Sequence, residues 1–293
     1  MMQGEANLPG SRWRDPAMWM LAPATLFMLL VFVYPFVDGL ILSFRPMNGG
    51  GALANYVAFF SDPRQWQTIG TTMKLALPAT LINVGIAVPL AYRLRNKTRY
   101  QKIATTIITI PLTLGTVLIA QGMLSYFGPN GWFSQVVHLL HLWDGPVHLT
   151  HNYWGVLISL VISGFPFVFL LILSYITGID PVLSRAAATL GATPWRQFRY
   201  VVFPLLLPGL AMAFALSFVQ AFSVFPSAVL LGSPAGPTRV ISIAAYEAAF
   251  ENYDYSMASG IAMIMGAAQL LVVVAVLGLR RLVYRGPVTG GKG

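Results

Sequence analysis

The stretch SRAAATLGATPWRQFRYVVFP, residues 184–204, has a composition that suits neither a lipid-facing helix nor an ordinary connection. Its local pattern predicts two short helices joined at a glycine. Asp180 and Pro181, just upstream, suit the N-cap and the first position of the first helix. Gly191 can adopt the left-handed conformation that ends a helix, and the Thr-Pro pair at 193–194 repeats the start pattern.

The first of these helices and its turn have almost no side-chain bulk. The small residues are Ala186, Ala187, Gly191 and Ala192. Because small side chains let another protein approach the backbone closely, we predict that this helix is a docking surface.

The composition of the whole chain indicates a membrane protein. Apolar residues make up 56% of the sequence and charged residues 9%, and the mean hydropathy is +0.69. Soluble proteins have about 25% charged residues. The absence of cysteine shows only that no disulfide is needed.

Six charge-poor stretches are long enough to cross a bilayer as helices, which takes about 20 apolar residues. We therefore predict an all-α polytopic membrane protein with six transmembrane helices, in one domain over residues 17–281. Tails of residues 1–16 and 282–293 flank it. We place the spans at 17–44, 70–92, 103–127, 154–177, 203–229 and 256–279.

The eighteen Lys and Arg residues are distributed unevenly. Most lie in the two tails, between the second and third spans, or in the 184–204 stretch. The positive-inside rule therefore places both termini and that stretch in the cytoplasm. The net charge of +9 follows from this topology, so no nucleic-acid partner is needed to explain it. The cations that remain on the outer side are Arg45, Arg64, Lys74 and Arg239.

The second short helix has two different faces. Arg196 and Arg199 mark the face toward the cytoplasm. The apolar residues Trp195, Phe198 and Val202 are expected to lie against the membrane.

At these residues the chain resembles the permease subunits of binding-protein-dependent ABC importers, the MetI-like family. Their loop contains Glu-Ala-Ala, then a glycine after three residues, and it ends near an apolar-x-Leu-Pro sequence. Here Arg185-Ala186-Ala187 precedes Gly191 at that spacing, and Val202-Phe203-Pro204 closes the motif. Arg185 stands where glutamate is usual, and Phe203 stands where leucine is usual.

The resemblance implies that the loop, at about residues 178–203, is the coupling helix that sits in a groove of a separate ATPase. It also implies a second permease subunit, identical or different, two cytoplasmic ATPases that bind ATP and Mg, and an extracytoplasmic solute-binding protein. It further implies that the protein is located in the bacterial inner membrane and that this chain binds no cofactor. The residues implied in coupling are Arg185, Ala186, Ala187, Gly191, Ala192, Phe198 and Pro204.

Polar residues in the fifth span fall at steps that keep them within about one third of the helix circumference. They are Ser217, Gln220, Ser223 and Ser227. These side chains could line a water-filled path for substrate, or they could hydrogen-bond neighbouring helices. Asp38 and Lys74, toward the outer ends of the first two spans, either reach the interface separately or pair as an outer gate.

All four histidines lie in the outer segment 128–153 as two His-x-x-His pairs. Helical imidazoles at this spacing can share a metal ion, but an amphipathic segment at the membrane interface has the same pattern. We therefore assign no metal site and leave the role of the histidines open. They are His138, His141, His148 and His151.

The outer segment 232–255 contains a Ser-Pro-Ala-Gly-Pro turn followed by Glu247, Glu251 and Asp254. It resembles the outer loop of polyamine-type members of the family, where a binding protein docks. A solvated acidic face is the alternative. The resemblance implies a small polar or charged solute, with polyamine-like compounds among the candidates.

The chain has no Gly-x-x-x-x-Gly-Lys-Ser/Thr loop and no arrangement of residues placed for hydrolysis, so we predict a non-catalytic subunit. The resemblance makes it a permease subunit that forms half of a translocation path. Two alternatives remain: an ion-coupled secondary transporter, and a membrane-embedded metal-dependent enzyme that uses the histidines.

Overall fold

The computed structural model describes residues 16–47, 49–95, 99–128, 131–139 and 150–283. Within these ranges all regular structure is helical, and six helical segments are long and apolar enough to cross a membrane. The prediction of an all-α, six-span membrane protein is confirmed. The spans are Ala22–Ser43, Pro63–Arg93, Arg99–Phe127, Tyr153–Thr177, Pro194–Phe222 and Tyr255–Arg280.

Short helices and π-helical segments complete the described structure. The π-helical segments are Leu29–Val33, Phe198–Val202 and Glu247–Glu251. In chain order the α-helices are α1 (Pro16–Met28), α2 (Tyr34–Ser43), α3 (Ala54–Ser61), α4 (Pro63–Arg93), α5 (Arg99–Phe127), α6 (Trp132–Leu139), α7 (Tyr153–Thr177), α8 (Pro181–Thr189), α9 (Pro194–Gln197), α10 (Phe203–Phe222), α11 (Pro226–Leu231), α12 (Ile241–Tyr246) and α13 (Tyr255–Val283).

Helices α4, α7 and α10 pack against one another at the centre of the bundle. A glycine on α10 allows α7 and α10 to approach each other closely. A Cβ atom placed on Gly209 of α10 would lie 2.4 Å from Cγ of Tyr175 on α7, so only glycine leaves room for the tyrosine ring. Small residues allow this close packing where lipid provides no hydrophobic driving force between helices.

A proline in α4 creates a free carbonyl that α7 uses. Pro78 has no N–H to donate to the carbonyl of Lys74, four residues earlier. The hydroxyl of Tyr153, at the start of α7, donates to that carbonyl at 2.7 Å. The bond therefore satisfies the freed backbone group and joins α4 to α7.

The first span lies at the periphery, where α2 packs against α13. The side chains of residues 22–38 are exposed in the single chain, as expected for a helix that faces lipid or a partner. A buried polar network holds its outer end. Asn55 of α3 donates to the Ser43 carbonyl at 2.9 Å and to the Ser256 hydroxyl at 2.7 Å, which ties the first span to α13.

The predicted extent of the fifth span, 203–229, is wrong at its outer end. Helix α10 ends at Phe222, and a separate helix, α11, begins at Pro226. Proline disfavours helical backbone at the preceding residue, and Phe225 accordingly has φ −132° and ψ −61°. Hydropathy continues across this break, which is why the sequence alone extended the span.

Candidate functional site

Helix α8 begins as the sequence predicted. Asp180 has extended backbone, and its carboxylate accepts a hydrogen bond from the Val182 amide at 2.8 Å. Pro181 occupies the first helical position, where its missing N–H leaves no bond unmade. The start of the helix is therefore determined locally by two adjacent residues.

The end of α8 is a Schellman motif centred on Gly191, which has φ +81°. The Gly191 amide donates to the Ala188 carbonyl at 2.9 Å, and the Ala192 amide donates to the Ala187 carbonyl at 3.0 Å. The predicted left-handed glycine is confirmed. A Cβ atom on Gly191 would meet no atom within 4 Å, so this side of the turn is open.

Helix α9 begins at Pro194, but the Thr193 side chain makes no capping bond. The Gln197 amide side chain instead donates to the Ala192 carbonyl at 2.8 Å, which closes the turn between the two short helices. Residues Phe198–Val202 continue as π-helix directly into α10. The segment at residues 180–204, called here the α8–α9 segment, is therefore continuous with the fifth span.

The expectation that Val202 lies against the membrane is wrong, and the half-buried Phe198 packs in part against the protein. Val202 is 1% exposed, and the Phe198 ring packs edge-on against Tyr92 of α4 with centroids 4.7 Å apart. The Arg95 guanidinium lies over the same Tyr92 ring, 4.3 Å from its centroid. The contact between Phe198 and Tyr92 fastens the α8–α9 segment to the end of α4. Trp195 is exposed, as expected.

Large apolar side chains on α8 are exposed where the predicted topology places them in the cytoplasm. Leu190, next to Gly191, is 88% exposed, and Val182 and Leu183 of α8 are also exposed. Arg185 and Ala186 are exposed on the same short helix, and Ala187 is half-buried. An apolar surface of this kind outside the membrane is typical of a protein-docking site.

The four polar residues of the predicted path do not share one helix face. Ser217 is 2% exposed inside the bundle, and Ser227 lies on α11, where its hydroxyl is 2.8 Å from that of Ser159. Gln220 and Ser223 are exposed. The structure therefore separates two core residues from two surface residues.

The sequence did not indicate that Gln269 is a hydrogen-bond partner of Ser223. Gln269 of α13 donates to the Ser223 hydroxyl at 2.8 Å, so an amide from the last span lies beside α10. Its isolated position in an apolar helix was the only sign in the sequence. We call Ser223 and Gln269, together with Gln220 one turn before Ser223 on α10, the amide–hydroxyl cluster; the hydrogen bond within it joins Gln269 to Ser223.

Asp38 and Lys74 are both described and exposed, and no ion pair joins them. Asp38 lies on the peripheral α2, which packs against α13, whereas Lys74 lies on the central α4. The outer-gate pair is therefore not formed in this structure, because the two helices occupy different parts of the bundle.

An ion pair in the outer segment joins two residues that the sequence did not connect. Arg239 is 6% exposed and its Nε donates to Glu247 at 3.2 Å. Its Nη1 also donates to the Arg64 carbonyl, at 2.8 Å, at the outer end of α4. The pair therefore ties the turn after α11 to α4 and to the π-helical segment before α13.

The other two acids of this segment differ in their surroundings. Asp254 caps α13 by accepting from the Met257 amide at 2.8 Å, whereas Glu251 is exposed. Of the histidines, His141 and His148 lie outside the described residues, and only the backbone of His138 is described, in α6. His151 is exposed, with φ +59°.

Comparison with known proteins places this geometry in a family. The profile described as binding-protein-dependent transport system inner membrane component matches residues 83–287. The probable starch degradation products transport system permease protein AmyD of Thermoanaerobacterium thermosulfurigenes is 27% identical over 84% of this chain and 87% of its own length. The sulfate transport system permease protein CysT of Escherichia coli K12 is 27% identical over 87% of this chain and 89% of its own length.

A solved structure shows the same fold. One chain of a bacterial alginate ABC transporter, in complex with an alginate pentasaccharide-bound periplasmic protein, has a TM-score of 0.80 at 22% identity. The similarity covers 94% of this chain and 98% of that chain.

The chain belongs to the family of inner membrane components of binding-protein-dependent transport systems, because the profile covers more than half of its residues. It is a multi-pass inner-membrane permease subunit of an ABC importer, and ATP hydrolysis belongs to a separate subunit. The family assignment disfavours the secondary-transporter and enzyme alternatives.

Proposed function

We propose that this chain forms half of the translocation path of an importer and transmits ATPase motion through the α8–α9 segment. The main supporting observation is the exposed apolar residue Leu190 beside the left-handed Gly191, on a segment continuous with α10. A movement imposed on α8 would pass through the π-helical turn into the fifth span. Both termini and this segment are cytoplasmic in the proposed topology.

The proposed assembly contains a second permease, two ATPases and an extracytoplasmic binding protein. Purification of the tagged chain from its own membrane in detergent tests this composition. We expect an ATPase with a phosphate-binding loop to co-purify, and we expect uptake to stop when ATP is depleted while the ion gradients are maintained. Uptake that continues without ATP and collapses with the ion gradient would instead identify a secondary transporter.

The substrate is proposed to be an oxygen-rich polar solute, such as a saccharide or an oxyanion. The amide–hydroxyl cluster provides neutral hydrogen-bonding groups, and helices α10 and α13 contain no Asp or Glu that could pair with a polycation. The relatives are named for starch degradation products and for sulfate. Neither observation supports the polyamine interpretation.

Competitive uptake distinguishes these substrate classes. Cells that express the complete importer are given labelled maltooligosaccharide, sulfate or spermidine, with and without excess unlabelled competitor. We expect saturable uptake of the oligosaccharide or the oxyanion. Saturable, competed uptake of spermidine alone would overturn the proposed class.

A further inference from the structure

A cavity of about 280 Å³ lies beneath α8, between the α8–α9 segment and the inner end of the bundle. Its walls come from the end of α7, from α8, from the end of α9, from the end of the π-helical turn and from Arg95 after α4. The polar residues that line it are Arg95, Thr177, Ser184, Arg185 and Gln197. The cavity is therefore built by one continuous stretch, residues 176–202, together with Arg95, which is distant from it in sequence.

The charge of this lining is unbalanced. Arg95 and Arg185 both contribute to the wall, and among the described residues no carboxylate lines it. The nearest acid in sequence, Asp180, already accepts a hydrogen bond from the Val182 amide and is outside the lining. Guanidinium groups present several donors in a planar fork that matches a carboxylate or phosphate group.

A second, independent feature points into the same cavity. Ser184 is 6% exposed, and no hydrogen bond joins its hydroxyl to the described part of the chain. Because Ser184 lines the cavity, its hydroxyl is open to it and available to a group that enters. Ser184 and Arg185 line the same cavity, so one ligand in it could contact both.

We propose that this cavity is an anion pocket that receives a carboxylate side chain of the partner ATPase when the α8–α9 segment docks. The proposal rests on the proposed coupling function and adds the chemistry of the contact. The cavity adjoins the exposed face of α8, and Arg185 belongs both to that face and to the cavity wall. The facing edge of the ATPase groove is accordingly acidic at this point.

The test uses the intact importer, captured from membranes through the tagged permease and washed with increasing NaCl. Arg185→Gln removes a cavity charge, and Ser184→Ala removes the unpaired hydroxyl without changing charge. Arg199→Gln is the matched control, because it removes the same charge from an exposed position outside the cavity. We expect Arg185→Gln to weaken ATPase retention about tenfold, as for loss of one hydrogen bond to a charged group.

Ser184→Ala separates a binding role from a structural one. A hydroxyl without a partner in the free permease contributes nothing to its stability, so the variant should resist heating at least as well as the wild type. Retention of the ATPase should nevertheless fall about threefold, as expected when one modest hydrogen bond is lost. Lower thermal resistance with unchanged retention would make the hydroxyl structural and overturn the proposal.

Two further outcomes would also overturn it. Equal losses in Arg185→Gln and Arg199→Gln would show a general charge effect without a specific pocket. Protection of the ATPase-free permease from heating by inorganic phosphate, together with normal ATPase retention in both cavity variants, would identify a site for a free anion. If Gly191→Trp releases the ATPase while both cavity variants retain it, the coupling function stands and the pocket proposal fails.

Discussion

Gly191 combines a backbone requirement with an exposed position. Its φ of +81° ends α8 through the Schellman bonds, and a non-glycine residue in this conformation costs roughly 1–2 kcal/mol. The space around its Cα is open, so a larger side chain would meet a docked partner before it met the permease itself. Strain and obstruction at this residue can therefore be separated experimentally.

The prediction at Gly191 compares two replacements. Gly191→Asn should retain coupling nearly fully, because asparagine tolerates left-handed backbone and is small. Gly191→Trp should leave membrane insertion intact but reduce ATPase attachment and uptake at least tenfold. Co-purification of the ATPase and ATP-dependent uptake measure both effects, and full uptake in Gly191→Trp would show that α8 is not the coupling element.

Gln220 is the other residue whose exposure makes a clear test possible. It lies on the surface of α10, one turn before Ser223, and it belongs to the uncharged amide–hydroxyl cluster. Gln220→Leu keeps a similar volume and removes the polar group. We expect normal assembly with a lower rate of uptake or an altered preference among solutes, measured by competition in whole cells.

Ser227→Ala provides the contrast for that experiment. Its hydroxyl pairs with Ser159 in the core at 2.8 Å, and removal would cost about 1–3 kcal/mol by leaving the partner unsatisfied. We expect lower thermal resistance and an unchanged solute preference. If Gln220→Leu gave the same pattern, its role would be packing between helices and not contact with substrate.

At the scale of elements, the outer end of the bundle depends on a buried ion pair. Arg239 connects the turn after α11 to Glu247 and to the Arg64 carbonyl of α4, so it joins three parts of the chain. Removing one member of a fully buried pair costs about 3–5 kcal/mol, but Glu247 is 23% exposed, so the cost here is smaller. The acidic outer segment is thus partly a structural tie.

Arg239→Met should therefore lower the free energy of unfolding of the permease in detergent by about 1–3 kcal/mol. Glu251→Gln is the control, because Glu251 is exposed and should change stability by less than about 0.5 kcal/mol. The two variants are compared by the temperature at which each aggregates in detergent, detected by fluorescence. An unchanged temperature for Arg239→Met would mean that the pair adds no net stability.

For the whole molecule, the orientation of the chain in the membrane can be tested by thiol labelling, because the sequence contains no cysteine. Ala235, in the turn after α11, and Thr193, between α8 and α9, are both exposed and lie toward opposite ends of the fifth span. In sealed cells we expect an impermeant thiol reagent to label Ala235→Cys and to leave Thr193→Cys unlabelled. Labelling of Thr193→Cys from outside would reverse the topology and exclude contact with a cytoplasmic ATPase.

Short-range interactions explain what the sequence by itself determined. The N-cap at Asp180, the proline after it and the left-handed Gly191 act within a few residues, so both ends of α8 and the start of α9 could be predicted. The number of transmembrane spans followed from the hydropathy of the sequence. A chain in lipid must pair its backbone polar groups within a helix, so each long apolar stretch predicts one transmembrane helix. The resemblance in the α8–α9 segment rested on the same local pattern.

Only the tertiary structure decided which of these residues meet. Phe198 packs on Tyr92, Arg239 pairs with Glu247 across a turn and also reaches Arg64, and Ser184 faces a cavity with Arg95. The four polar residues predicted to share one face of the fifth span are divided between two helices, because α10 ends at Phe222, where hydropathy shows no change. These contacts depend on how helices distant in sequence pack, and side-chain volumes across the bundle determine that packing more than any local pattern does.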